Sequence, residues 1–154
     1  MNTIGPATTR ASECEEILRS LPEWFGIEES LQMYVRDSEA HPTFALEESD
    51  RLVAFLTVRE HFAESWEIHC IAVASSHRNQ GLGTRLLDHA EGWLVSKGVR
   101  FLQVKTLAAT SSDVNYAKTR EFYLARGFTP LEIFPELWCP SNPALVMIKT
   151  LPSH

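Results

Sequence analysis

The residues with the most specific chemistry lie between His77 and Leu87, in the segment HRNQGLGTRLL. Gly81 and Gly83 stand one residue apart, Arg78 precedes the first by three, and an apolar pattern of helical period follows at once. A loop entering a helix there turns several unpaired N–H groups into one space, and the helix dipole adds partial positive charge. Glycine lets backbone approach a ligand closely and take up positive φ. Phosphate is the anion that suits such a place, with Arg78 and Arg85 as further charge. A tight turn with no ligand satisfies the same spacing. A Walker loop is excluded, because a single residue separates the glycines and no Lys-Ser/Thr pair follows them. The dinucleotide fingerprint is excluded too. It needs a third glycine where Leu86 stands, and an acid about 20 residues on, where the chain reads VKTL.

Other reactive residues carry less pattern. Cys14, Cys70 and Cys139 are odd in number and form no CxxC pair, so a reducing, cytoplasmic setting is expected and a disulfide framework is not. His61, His69, Cys70 and His77 have no common zinc-ligand spacing, and no metal is expected.

These residues need elements to position them. Cys14, Ile17, Leu18 and Leu21 share one helical face, with Ser12 as the expected N-cap. After Pro22 a second helix is predicted over IEESLQMYVRD, with Ile27, Leu31, Tyr34 and Val35 inward. Thr43–Glu47 and Arg51–Glu60 flank the turn SDR as an antiparallel hairpin. Trp66–Ala74 is a third strand, Gly81–Lys97 a helix closed by Gly98, and Phe101–Leu107 a fourth strand. NYAKTREFYLARGF is a helix with Gly127 past its end, and two closing strands flank CPSNP. The central strand–helix–strand unit demands a parallel pairing, so the sheet is mixed.

Arg78-x-x-Gly81-x-Gly83, entered from a strand ending Ala72-Val73 and followed by TRLL, resembles the acetyl-CoA pyrophosphate loop of the GNAT acetyltransferase family. TREFYLARGF resembles that family's later helix, with its aromatic pair before Gly-Phe. The resemblance covers about Thr43 to Leu151. It implies a GNAT-type α/β (α+β) fold over a single domain, residues 1–154. Its sheet is mixed and mostly antiparallel, of six to seven strands, with the central parallel unit splayed for acetyl-CoA and about four helices.

The resemblance also implies roles. Backbone of Asn79, Gln80, Gly81, Leu82, Gly83 and Thr84, with Arg78 nearby, holds the pyrophosphate. Ile71, Ala72 and Val73 pair with the pantetheine amides as an added strand would. A backbone N–H near Val73 polarises the thioester carbonyl. Glu67, six residues before Val73 and eleven before Arg78, stands where the histone-acetylating branch has its general base. His69 shares a face with Glu67 under strand alternation and is a second base, whereas Cys70 alternates away. Tyr123, ahead of Gly127-Phe128, resembles the family's general acid for the leaving thiolate. Asn115 lies eight residues before Tyr123, one further than the family's asparagine, and is the expected cofactor contact on that helix. Lys118, Arg120 and Arg126 are charges within reach of the ribose phosphate or solvent.

The expected activity is direct acetyl transfer from acetyl-CoA to a primary amine on a small molecule or peptide. A non-catalytic acetyl-CoA sensor is the alternative. An aromatic and acidic wall for the acceptor is offered by Trp24, Phe25, Tyr34, Glu23, Glu28, Glu29 and Asp37, and by Phe134, Glu136 and Trp138. A net charge of -6 argues against a nucleic-acid partner. No apolar run reaches a membrane-spanning length, and no secretory leader is expected at the N-terminus. Apolar strands near the C-terminus make a homodimer conceivable.

Overall fold

The computed structural model describes residues 1–6, 10–108, 113–139 and 141–153; Pro140, within the expected CPSNP connection, lies outside them. Among the described residues seven strands and four α-helices follow one another, with a short 3₁₀ turn at Ser75–His77 before the third helix. They are β1 (Asn2–Ile4), α1 (Ala11–Arg19), α2 (Glu28–Ala40), β2 (Thr43–Glu48), β3 (Arg51–Phe62) and β4 (Ser65–Val73). Then come α3 (Leu82–Ser96), β5 (Phe101–Leu107), α4 (Val114–Ala125), β6 (Thr129–Cys139) and β7 (Asn142–Thr150). The strands form one sheet in the order β1-β2-β3-β4-β5-β7-β6, with β4–β5 its parallel pair and the remaining pairings antiparallel.

Local chemistry accounts for most of these boundaries. The β2–β3 hairpin turns on Ser49 and Asp50, both at positive φ (51° and 65°), as a two-residue loop matched to strand twist requires. Gly98 and Gly127 stop α3 and α4 at φ 82° and 95°. Asp113 caps α4 by accepting from the Asn115 N–H at 2.8 Å.

The sheet separates two apolar layers. On one face α3 buries Leu86, Leu87, Ala90 and Leu94, and α4 Tyr123, in one layer with Leu56, Ile68, Leu102 and Met147. On the other, Cys14, Leu18 and Leu31 of α1 and α2 close over Phe55, Cys70 and Ala72. Burial of this kind, at about 25 cal/mol per Å² of apolar surface, is the main term holding both layers to the sheet.

Four expectations change. Arg10, tied to Glu13 and Glu47, is the N-cap of α1, and Ser12 lies inside the helix. Ile27 is the N-cap of α2 and 64% exposed, because the inward stripe begins at Leu31. A short strand at Asn2–Ile4 pairs with β2, although three residues carry too little pattern to announce it. The last change concerns β4. Thr57 pairs with Cys70 and Val58 with Ile68, so His69 is the extra residue of a β-bulge. The bulge resets the alternation. Cys70 joins the α1–α2 layer that His69 also faces, while Ile68 and Ile71 share the opposite layer.

Candidate active site

The parallel ladder of β4 and β5 runs only from Ser65–Phe101 to Ile68–Val104. Beyond it the strands part, and β4 from His69 to Val73 presents an edge that β5 does not pair. A cavity of about 420 Å³ opens at this fork. Its walls are the β4 edge, Val104 to Thr106 of β5, the start of α3, the α4 face and the α1–α2 connection.

The glycine loop forms one end. Asn79 and Gly81 lie at positive φ, 63° and 76°. Gly81 is the N-cap of α3, and no side chain caps the helix. The first helical bond there is Arg85 N–H to the Gly81 carbonyl at 3.1 Å. Among the described residues, the N–H groups from Gln80 to Thr84 therefore have no backbone acceptor, and the helix dipole adds to them. Arg78, Asn79, Gly81, Leu82, Gly83 and Thr84 all line the cavity; Gln80 does not. The Arg78 guanidinium lies over the Trp24 ring at 4.5 Å. Arg85 is turned away, donating to the Met1 carbonyl at 2.9 Å.

Trp24 links three elements around the opening. Its Nε1 donates to Thr119 Oγ1 at 3.2 Å, and its carbonyl accepts from the Tyr116 hydroxyl at 3.2 Å. Thus the α4 wall is made by Tyr116, Lys118, Thr119, Phe122 and Tyr123. Asn115, in the first turn of α4, is outside the lining set. Arg120 donates to the carbonyls of Leu107 and Ala108 at 2.7 and 3.2 Å, and Arg126 to Thr84 Oγ1 at 3.2 Å. Both are therefore engaged in holding the α4 wall in place.

Tyr123 is 3% exposed, packed between Phe122 and Phe128, yet it reaches the cavity wall. Burial pushes its phenol well above the ordinary tyrosine range, so it stays protonated. Among the described residues no hydrogen bond holds its hydroxyl. Burial likewise pushes the Tyr34 phenol and the Cys70 thiol up. Cys70 lines the cavity as an inert thiol rather than a nucleophile.

The two β4 groups singled out in the sequence sit in different surroundings. Glu67 is 7% exposed and outside the lining set. Lys105 Nζ reaches both its oxygens at 3.0 Å, and His61 Nε2 meets Oε1 at 2.7 Å. His69 lines the cavity, with Nε2 2.7 Å from Asp37 Oδ2 and its ring 5.2 Å from that of Tyr34. Each histidine of the considered zinc set meets a separate carboxylate: His61 Glu67, His69 Asp37 and His77 Glu48. Among the described residues no three metal-ligating side chains converge.

Of the expected acceptor wall, Trp24, Phe25, Tyr34 and Trp138 line the cavity. Glu28 instead pairs with Arg19 at 2.6 Å on the surface. Phe134 and Glu136 flank a separate shallow depression on β6. Sequence reasoning missed Lys105 and Thr106. Their signal was present in β5, where alternation puts Lys105 on the face opposite Val104.

The residues present suit a coenzyme A thioester. Among the described residues Thr106 Oγ1 is buried without a partner at the fork, the β4 edge is unpaired beside it, and the N–H groups of the loop without acceptors suit a pyrophosphate.

Solved structures share this architecture. A GNAT-family protein from Desulfovibrio desulfuricans superposes with a TM-score of 0.87 at 16% identity, over 98% of this chain and 99% of that one. An aminoglycoside 6'-N-acetyltransferase complexed with coenzyme A gives 0.77 at 22% identity, over 100% and 99%. The ribosomal-protein-S18-alanine N-acetyltransferase from Escherichia coli gives 0.78 at 20% identity, over 99% and 95%. At these identities the likeness establishes the fold. No curated protein matches the chain in sequence. The model of the acetyltransferase (GNAT) family, however, matches residues 11–128, across the fork, the glycine loop and α4 alike, and the chain belongs to that family of acyltransferases.

Proposed function

We propose that the protein transfers the acetyl group of acetyl-CoA directly to a primary amine of a small molecule or peptide. One juxtaposition carries this reading. The parted β4 edge, the N–H row of Gly81–Thr84, Tyr123 and His69 all meet at one cavity. Acetyl-CoA supplies the acetyl group as a thioester. Asn79 to Thr84 hold its pyrophosphate through backbone N–H groups, with Arg78 adding charge. The backbone of Ile71, Ala72 and Val73 pairs with the pantetheine amides, and an N–H near Val73 polarises the carbonyl. Asn115 is the less direct contact, held one turn back at the α4 cap. Tyr123 gives its proton to the departing thiolate. Glu67 and His69 are the two groups on β4 that can take the amine proton. An alkyl ammonium titrates near 10.4, so such a group is needed at neutral pH.

The acceptor enters beside Phe25, Tyr34 and Trp138, a mostly aromatic wall. A homodimer through β6 belongs to the same reading. β6 is an edge strand exposing Leu131, Ile133, Leu137 and Trp138, the kind of edge a second copy covers. Sedimentation that stays monomeric up to high protein concentration removes that part.

Calorimetry with acetyl-CoA on the wild type and Gly81→Glu tests the whole. A Cβ at Gly81 meets no protein atom within 4 Å, but φ of 76° strains any side chain there, so urea unfolding of the variant is run beside the titration to separate a lost loop conformation from repulsion of the pyrophosphate. Affinity is expected to vanish in the variant. Equal affinities would mean that the pyrophosphate is not held at this loop. Amine-dependent thiol release from acetyl-CoA separates an enzyme from a sensor, which binds without turnover.

A further inference from the structure

We infer that Asp37 is a positioning residue that fixes the tautomer and orientation of His69, and that His69 Nδ1 takes the proton of the acceptor amine. This rests on the acetyl-transfer reading above and decides between its two proton acceptors. An ionised carboxylate only accepts, so the 2.7 Å contact between Asp37 Oδ2 and His69 places the ring hydrogen on Nε2. Nδ1 is then the basic nitrogen, and among the described residues it has no other partner. Tyr34 and Asp37 fall on one stripe of α2, and His41, the residue past its end, completes the surroundings of the ring. The Tyr34 and His41 rings lie 5.2 and 6.2 Å from it. Alternation from Ile68 turns His69 toward that stripe, the bulge brings Cys70 to the same side, and His69 stays on the cavity wall.

Glu67 is committed elsewhere. Protonating its carboxylate would undo an ion pair with Lys105 at 3.0 Å and the His61 contact at 2.7 Å, at a site outside the cavity lining. The titratable groups in contact with His69 are Tyr34 and Asp37 of α2 and His41 just past its end, while Cys70 of β4 and Lys105 of β5 line the same cavity.

The step balances as follows. The ammonium loses a proton to Nδ1 as its nitrogen bonds the acetyl carbon. The carbon–sulfur bond breaks, and the thiolate takes the Tyr123 proton. The nitrogen, now part of the amide, passes its second proton through water to the Tyr123 phenolate, and the imidazolium releases its own to solvent, so the products are amide, thiol and one proton.

Two measurements on the full chain test this. Nitrogen NMR of labelled histidines should find His69 with hydrogen on Nε2 and a bare Nδ1, and Asp37→Asn should abolish that single tautomer. A hydrogen on Nδ1 in the wild type overturns the proposal whether or not an acceptor is known. The second uses acetyl-CoA with spermine, kanamycin and alanyl- and lysyl-peptides, following the fastest amine from pH 7 to 10. His69→Gln should lose about 10²- to 10⁴-fold at pH 7, and the deficit should shrink toward pH 10, where the amine deprotonates unaided. Asp37→Asn should show a smaller deficit of the same pH dependence. Glu67→Gln, which breaks the Lys105 pair, should lower the rate by one factor at every pH. A deficit that shrinks with pH for Glu67→Gln and stays flat for His69→Gln overturns the assignment. Binding of acetyl-CoA with no amine acetylated would sink the transfer reading instead, and the NMR result would still decide the pair.

Discussion

Replacing Tyr123 with phenylalanine removes one oxygen and little else. The ring sits 5.3 and 5.4 Å from those of Phe122 and Phe128, and phenylalanine keeps both contacts. No hydrogen bond among the described residues is broken, so stability should change by less than about 1 kcal/mol. The pyrophosphate loop and the β4 edge are untouched, and acetyl-CoA affinity should hold within about threefold. The effect should fall on turnover. A positioned acid contributes about 10²- to 10⁴-fold, and a thiolate leaving group, with a thiol pKa near 8.5, needs it less than an alkoxide would. The lower end, about 100-fold or 2.7 kcal/mol, is therefore expected. Because burial keeps the phenol protonated, the wild-type rate should show no loss of this acid up to about pH 10. The assay is thiol release under saturating acetyl-CoA, beside calorimetric affinity and urea unfolding of the same variant. A variant that loses affinity and turnover by equal factors would make Tyr123 a packing residue, and full turnover would remove it from the chemistry.

Two predictions concern the thiols. Cys14 and Cys70 are buried and burial raises both, whereas the Ser141 hydroxyl and then the Asn142 amide hold the Cys139 thiol below its usual range. A thiol-reactive dye at neutral pH should label one site quickly and all three only after unfolding; three fast sites would contradict the packed α1–α2 layer. Burial pushes Cys14 from 9.0 up to about 11, so the unfolded chain releases that proton first. The Cys14 contribution should thus be intact below about pH 9 and lost as pH rises toward 11, by at most about 2.7 kcal/mol. Urea unfolding of wild type and Cys14→Ala across that range measures it, and parallel curves would refute it.

Wherever a local period or turn residue decides the outcome, the sequence was enough. The apolar face of α1, the alternation of β3, the glycine stops at Gly98 and Gly127 and the loop at Gly81–Gly83 are short-range chemistry, readable along the chain. The order of elements followed from them, and with it the parallel β4–β5 pair. What the chain alone did not decide was the partner of each polar group. Glu67 and His69 look equivalent two residues apart on an alternating strand. Tertiary structure makes them unequal although they keep one face, because neighbours distant in sequence divide the two. Lys105, 38 positions on, takes Glu67, and Asp37, 32 positions back, takes His69. Register, bulges and long-range ion pairs depend on which surfaces meet, and hydrophobic period carries no information about that.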